Sequence, residues 1–193
     1  MTTAEQTRVP FEHRWPAIAG VIVVLVLWLL LPGFFFTPLR VVAVVVCALL
    51  VIPLVVLNPH HLVRQTAWSR VMSVTLAIVL LAVTQVLLVQ LVYELLTAPV
   101  DDGFGILLAA LQLWVTNAIA FGLLYWEIDL GGPVARARGA RDVARADFLF
   151  PQDSTTGFDA WRPRFFDYLY ISLTAVIAFS PADALPITRR AKA

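Results

Sequence analysis

The sequence predicts an all-α, polytopic integral membrane protein, with four transmembrane helices in two hairpins and a fifth, carboxyl-terminal hydrophobic segment that spans or re-enters. Three observations predict it. Hydrophobic residues make up 60% of the 193 and charged residues only 14%, with mean hydropathy +0.83; a soluble domain carries about 25% charged residues and could not hide this much apolar surface. Apolar runs at 17–31, 41–57, 71–96 and 104–126 are each closed by polar or Gly/Pro-rich stretches. Arginines gather in alternate loops, as the positive-inside rule requires of a multi-pass chain.

Residues 1–14 read as a short cytoplasmic tail, with Arg8, His13 and Arg14 ahead of the first apolar run. Pro16 stands where a helix's first turn lacks an acceptor for its N–H, so it costs nothing there. The run follows basic residues like a signal peptide, but Pro32-Gly33-Phe34-Phe35-Phe36 offers no small-residue cleavage site. An uncleaved helix reaching into the aromatic triplet is expected instead. The second run, 41–57, is joined so closely that the pair must form a tight hairpin, and Pro53 is expected to kink it. His60 and His61 follow with Arg64 and Arg70; adjacent histidines without a carboxylate or cysteine nearby point to an interfacial loop rather than a metal site.

The third and fourth runs flank an acidic loop holding Asp101 and Asp102. With the arginine-bearing segments inside, the amino terminus, the loop after helix two and the stretch from Glu127 onward are cytoplasmic. Helix three carries Ser73, Thr84, Gln85, Gln90 and Glu94; helix four carries Gln112, Thr116 and Asn117. Packed as a hairpin, residues whose numbers sum to about 200 share a depth. This sets Thr84 and Gln85 level with Thr116 and Asn117, and Gln90 near Gln112. The plain reading is interhelical hydrogen bonding worth about 0.6 kcal/mol per contact; the functional one is a polar track guarded by Glu94 at its outer end. Ala118 and Gly122, four apart, allow another helix to approach closely.

Gly131-Gly132-Pro133 ends helix four. Beyond it, residues 127–164 form a basic cytoplasmic loop in which Arg138, Arg141 and Arg145 fall at helical spacing, either lying on anionic headgroups or simply solvated. Residues 165–193 hold a pore-loop-like or fifth transmembrane segment. A net charge of +1 argues against nucleic acid as a partner. The single Cys47, inside an apolar run, forms neither an internal disulfide nor a metal cluster. No nucleophile with its base and no working carboxylate pair can be nominated, Glu127 and Asp129 being read as groups that end helix four at the interface, so neither an enzyme nor a cofactor is expected. An arginine bias among the basic residues fits a GC-rich bacterial genome.

The pieces YWEIDLGGP (125–133), DFLFPQ (147–152), WRP (161–163) and DYLYISLTAVIAFSPADALPITRRAK (167–192) resemble the characteristic segments of an uncharacterised family of bacterial, mostly actinobacterial, integral membrane proteins. The resemblance implies a multi-pass inner-membrane protein of no established activity, with one more helix after residue 193. Tyr170-Ile171-Ser172, Thr174, Asp183 and Pro186 more distantly resemble the offsets of a potassium-channel pore loop. The six filter positions here read Ala178-Phe179-Ser180-Pro181-Ala182-Asp183; both filter glycines are missing and Pro181 fixes its own φ, so a conventional potassium filter is not expected.

From these readings the leading expectation is a plasma-membrane protein with a pore-like or solute-conducting role, with the lipid bilayer, further copies of itself and a monovalent cation as partners. Ser172, Thr174, Ser180 and Asp183 are its candidate lining or turn residues, and Glu94 is the charge at its mouth. The simpler expectation for the same residues is Ser and Thr bonding back to their helix and Asp183 capping a turn. The alternative function is a non-transporting scaffold or accessory subunit of a membrane complex.

Overall fold

The computed structural model describes residues 14–33, 35–57, 67–97, 103–137, 141–158, 161–177 and 184–192. The helices are α1 (Trp15–Leu29), α2 (Thr37–Leu57), α3 (Ala67–Thr97), α4 (Gly103–Ile128), the short α5 (Pro133–Ala137), α6 (Phe165–Ile177) and a last turn, α7 (Arg189–Lys192). Two two-residue strands, β1 (Phe148–Leu149) and β2 (Leu185–Pro186), pair antiparallel with Phe148 opposite Pro186 and Leu149 opposite Leu185. Among the described residues, α2, α3 and α4 are long and apolar enough to cross a membrane; α1 and α6, at 15 and 13 residues, are apolar but shorter.

The α4 helix is the axis. Half of its apolar window is buried, against 22% in α2 and 33% in α3, and it packs against α3, α6 and α1 while α2 lies outside on α3 and α1. The outward residues of α2 and α3, among them Val42, Leu49, Val89 and Val92, stay exposed, as a lipid-facing surface should.

The sequence expected the first helix to run into Phe34–Phe36, yet α1 stops at Leu29. Pro32 and Gly33 follow, and Arg40 from the first turn of α2 takes over the freed carbonyls: its Nη1 donates to Leu31 O at 2.5 Å and Trp28 O at 3.4 Å, and its Nη2 to Thr37 Oγ1 at 3.0 Å. A cation at a helix C-terminus meets the negative end of its dipole. Arg14 does similar work at the other end of the hairpin, donating to Leu54 O at 3.3 Å and to Ser73 Oγ at 2.9 Å. Pro53 lies inside α2.

The expected register between α3 and α4 holds where it matters most: Gln85 Nε2 donates to Asn117 Oδ1 at 2.8 Å. Thr84 and Thr116 are fully buried and bond back to their own helices, at Leu80 O and Gln112 O. Gln90 and Gln112 turn instead to the α1–α2 connection, where Gln90 Oε1 accepts from Phe36 N at 3.4 Å and Gln112 Nε2 reaches Leu30 O at 3.5 Å.

The small-residue face of α4 receives α6. A Cβ on Gly122 would lie 3.0 Å from Leu169 Cα, so glycine is what lets the two backbones meet. Ser172 Oγ donates to Ala118 O at 2.7 Å, and the Phe165 ring stands edge-on to Trp126 at 6.1 Å. These contacts run α6 antiparallel to α4, starting from the end where α4 finishes.

Candidate functional site

Beyond α4 the chain builds a folded cap rather than a plain loop. Trp126 and Glu127 are still helical, after which Asp129–Gly131 tighten into a 3-10 turn and the backbone swings left-handed at Leu130 (φ 51), Gly131 (φ 83) and Gly132 (φ 100). Glycine takes such angles freely; leucine stores about 1–3 kcal/mol there. The turn is held from both sides. Gly132 N donates to Asp129 O at 2.9 Å, the Leu130 amide bonds Asp147, and Arg136 Nη1 donates to both Trp126 O and Asp129 O at 2.7 Å.

The Asp129 side chain is the hub of this cap. It is completely buried, and its Oδ1 accepts from Asp147 N at 2.8 Å and Phe148 N at 3.4 Å, its Oδ2 from Tyr168 Oη at 2.5 Å and Arg141 Nη1 at 3.3 Å. One carboxylate thus ties the end of α4 to β1, to the first turn of α6 and to the basic segment. Arg141 makes a second, bidentate pair with Asp153, Nε to Oδ1 at 2.5 Å and Nη2 to Oδ2 at 3.0 Å, and its Nη2 also reaches Phe148 O at 2.8 Å. Asp153 in turn receives Phe150 N at 2.9 Å. Aromatic rings wall the network off from water: Tyr168 lies edge-on to Phe148 and Phe150, and Phe150 to Trp161.

Asp147 is the second anchor. It accepts from Thr188 Oγ1 at 2.5 Å, Arg190 Nε at 2.6 Å and Arg190 Nη2, while its carbonyl receives Ile187 N at 2.9 Å. Burial works to raise the pKa of this carboxyl, but the hydrogen bonds from Arg190 and Thr188 and the Arg190 charge outweigh it and hold the group below its usual value. Burial likewise works to lower that of Arg141, and Asp153 and Asp129 outweigh it in the other direction. Arg190 Nη2 also touches Ile128 O at 3.3 Å, so the segment after α6 returns to the end of α4 from which α6 set out.

Two cavities flank this end of the bundle. A small one, about 40 Å³, lies between Arg14, Ser73 and Glu127 under apolar walls. Glu127 is buried, bonds Ser73, and has Arg14, Arg136 and Arg70 around it. The larger, about 450 Å³, lies on the other side of the Leu130-Gly131 turn and is lined by Arg70, Arg136, Arg141, Arg145, Arg162 and Arg190, with Asp142 the one acidic residue among the described residues that line it. Buried carboxylates in the cap already have arginines against them, so the open chemistry of this end is cationic. It suits an anion.

No family model, curated protein or solved structure matches this chain. The site therefore stands on its own geometry.

Of the residues nominated from sequence, Ser172 is buried against α4 through Ala118 O, and Thr174 Oγ1 bonds back to Tyr170 O at 3.0 Å and Ile171 O at 2.9 Å. Glu94 lies half-buried on α3 towards the end away from the cap. Among the described residues no hydrogen bond or ion pair joins it to Ser172 or Thr174. Ser180 and Asp183, like His60, His61, Asp101 and Asp102, lie outside the described residues. The expected helical face of Arg138, Arg141 and Arg145 is not formed: α5 ends at Ala137, Arg138 lies outside the described residues, and residues 143–145 make a separate 3-10 turn. Arg141 is drawn inward by Asp153 and Asp129. Asp129, Asp147, Tyr168 and Arg136 went unnominated from sequence. The signal that could have found them is the aspartates and arginines interleaved with Phe148, Phe150 and Trp161, since charges set among large apolar residues must pair.

Proposed function

We propose that this chain is a multi-pass protein of the bacterial plasma membrane, with its amino terminus and cap in the cytoplasm, whose segment 165–186 enters the membrane and returns to line a path for an ion or small solute in a homo-oligomer. The supporting observation is the return of the chain. From Phe165 beside Trp126 and Ser172 beside Ala118, the antiparallel register carries Ile177 level with about Leu113, near the middle of α4. Leu185 and Arg190 are back at β1 and Ile128. At about 1.5 Å per residue α6 is about 20 Å long, short of the roughly 30 Å apolar core. The C-terminal end of a half-helix favours a cation.

The test is sidedness followed by flux. A cysteine at Asp183 in a Cys47→Ala background should resist an impermeant thiol reagent in intact cells and react in inside-out vesicles; labelling from outside would mean a fifth span and end the proposal. Thr174→Val and Asp183→Ala should then lower flux into proteoliposomes without changing assembly. A second reading, the non-transporting scaffold or accessory subunit, is favoured by Ser172 and Thr174 having given their hydroxyls to backbone carbonyls. Absent flux, with a partner protein lost on the same substitutions, would establish it.

A further inference from the structure

We propose that the arginine-lined cavity beside the Gly131 turn is a binding site for a phosphate group, independent of whether the 165–186 segment conducts. Its volume, about 450 Å³, falls in the range of small-ligand sites. Among the described lining residues Arg141 is ion-paired to Asp153 and Asp129, Arg190 to Asp147, and Arg162 gives Nη1 to Trp161 O, so these act as fixed wall. Arg136 is different. It is only 7% exposed and spends Nη1 on the Trp126 and Asp129 carbonyls, yet among the described residues its Nε and Nη2 meet no acceptor. Buried guanidinium N–H groups without acceptors are unfavourable, and an anion in the cavity supplies what they lack. Glu127 lies near Arg136 and Arg70, but it also faces Arg14, so one carboxylate is shared among three cations.

The floor of the cavity is shaped for close approach. Gly131 presents bare backbone at φ 83, and the Arg70 guanidinium lies 3.7 Å from where a side chain would begin. Arg145, exposed on the 3-10 turn, completes the rim. A phosphate carries about −1.5 to −2 charges at neutral pH and three acceptor oxygens, and planar guanidinium forks engage it two bonds at a time. Among the described lining residues Leu130 and Ala135 are the apolar ones, so the wall is mainly cationic and suits a charged group. Arg70 stands in the first turns of α3, a candidate span starting at Trp68, which puts the cavity at headgroup depth. The phosphate can therefore belong to an anionic lipid or to a soluble phosphate compound.

The full chain in phosphatidylcholine nanodiscs should be titrated with pyrophosphate by calorimetry. In parallel, detergent-solubilised chain should be offered phosphatidylglycerol and phosphatidylcholine in equal amounts and the retained lipid counted by native mass spectrometry. Pyrophosphate binding that weakens at least tenfold in Arg70→Gln and Arg145→Gln, but not in the exposed Arg189→Gln, assigns a soluble phosphate ligand. Selective retention of phosphatidylglycerol, lost in the same two variants, assigns a lipid headgroup. Binding in neither arm by the wild-type chain, or binding unchanged when Arg70 and Arg145 are both replaced, overturns the proposal. Thiol labelling at residue 183 does not bear on any of these outcomes.

Discussion

Replacing Asp129 should release the cap from the bundle while leaving the helices packed. Four donors converge on its two oxygens: the Asp147 and Phe148 amides, the Tyr168 hydroxyl and Arg141. In Asp129→Ala two buried amides, a phenol and one guanidinium N–H lose their acceptor together. Each stranded donor is worth about 1–3 kcal/mol, but at 3.4 Å and 3.3 Å the Phe148 and Arg141 contacts are weak. Water entering the gap recovers part of the rest, leaving a net loss of about 3–5 kcal/mol, the usual size for removing one partner of a buried ion pair. Asp129→Asn keeps an acceptor for the two amides and sets an NH₂ against Arg141 and Tyr168, so about half that loss is expected. Hydrogen exchange by mass spectrometry in lipid nanodiscs reads the effect locally. Amides of residues 147–150, 185 and 187 should lose protection by two to three orders of magnitude in the alanine variant, and those of α2 and α3 should not change. Unchanged protection at 147–150, or equal loss throughout the bundle, would refute Asp129 as the tie.

Other substitutions probe separate joints. Gly122→Leu drives a side chain into the Leu169 backbone and should separate α6 from α4, seen as new protease cleavage between residues 161 and 177, whereas Ser172→Ala loses one interhelical bond and should lower stability by only about 0.6 kcal/mol. Gln85→Ala should lose a similar amount in thermal unfolding, with no further loss when Asn117→Ala is added, since the two are one interaction. Asp147 has its folded pKa depressed, so the stability it contributes is present above its unfolded value near 3.9 and is lost as pH falls through the lower folded one. Cap protection should accordingly collapse below about pH 4 in the wild type. Asp147→Asn should flatten that acid limb and forfeit about 2 kcal/mol at neutral pH, a figure discounted because the Arg190 side chain is 57% exposed.

The parts legible in the sequence are those that depth alone decides. Two antiparallel apolar helices joined by a short turn have one register, so Gln85 meets Asn117; Gln90 and Gln112 escape that rule because the α1–α2 connection offers them nearer backbone partners. Ala118 and Gly122 announce a close neighbour without saying which, and α6, 47 residues beyond Gly122 at Leu169, fills the place. Spacing misled where composition overrode it. Arg138, Arg141 and Arg145 read as a helical face, yet a buried aspartate outcompetes helix propensity for Arg141. Asp129 was least legible of all, since its partners stand 12 to 39 residues away and a carboxylate after a helix has a cheaper local explanation.

The β1–β2 pair has a consequence for how the protein is made. Asp147 emerges from the ribosome more than forty residues before Thr188 and Arg190, the side chains that neutralise it. α6 is synthesised within that interval, before the residues that fasten its return limb. The latch on Asp147 is thus completed by residues synthesised after the α4 end, β1 and α6 that it ties together.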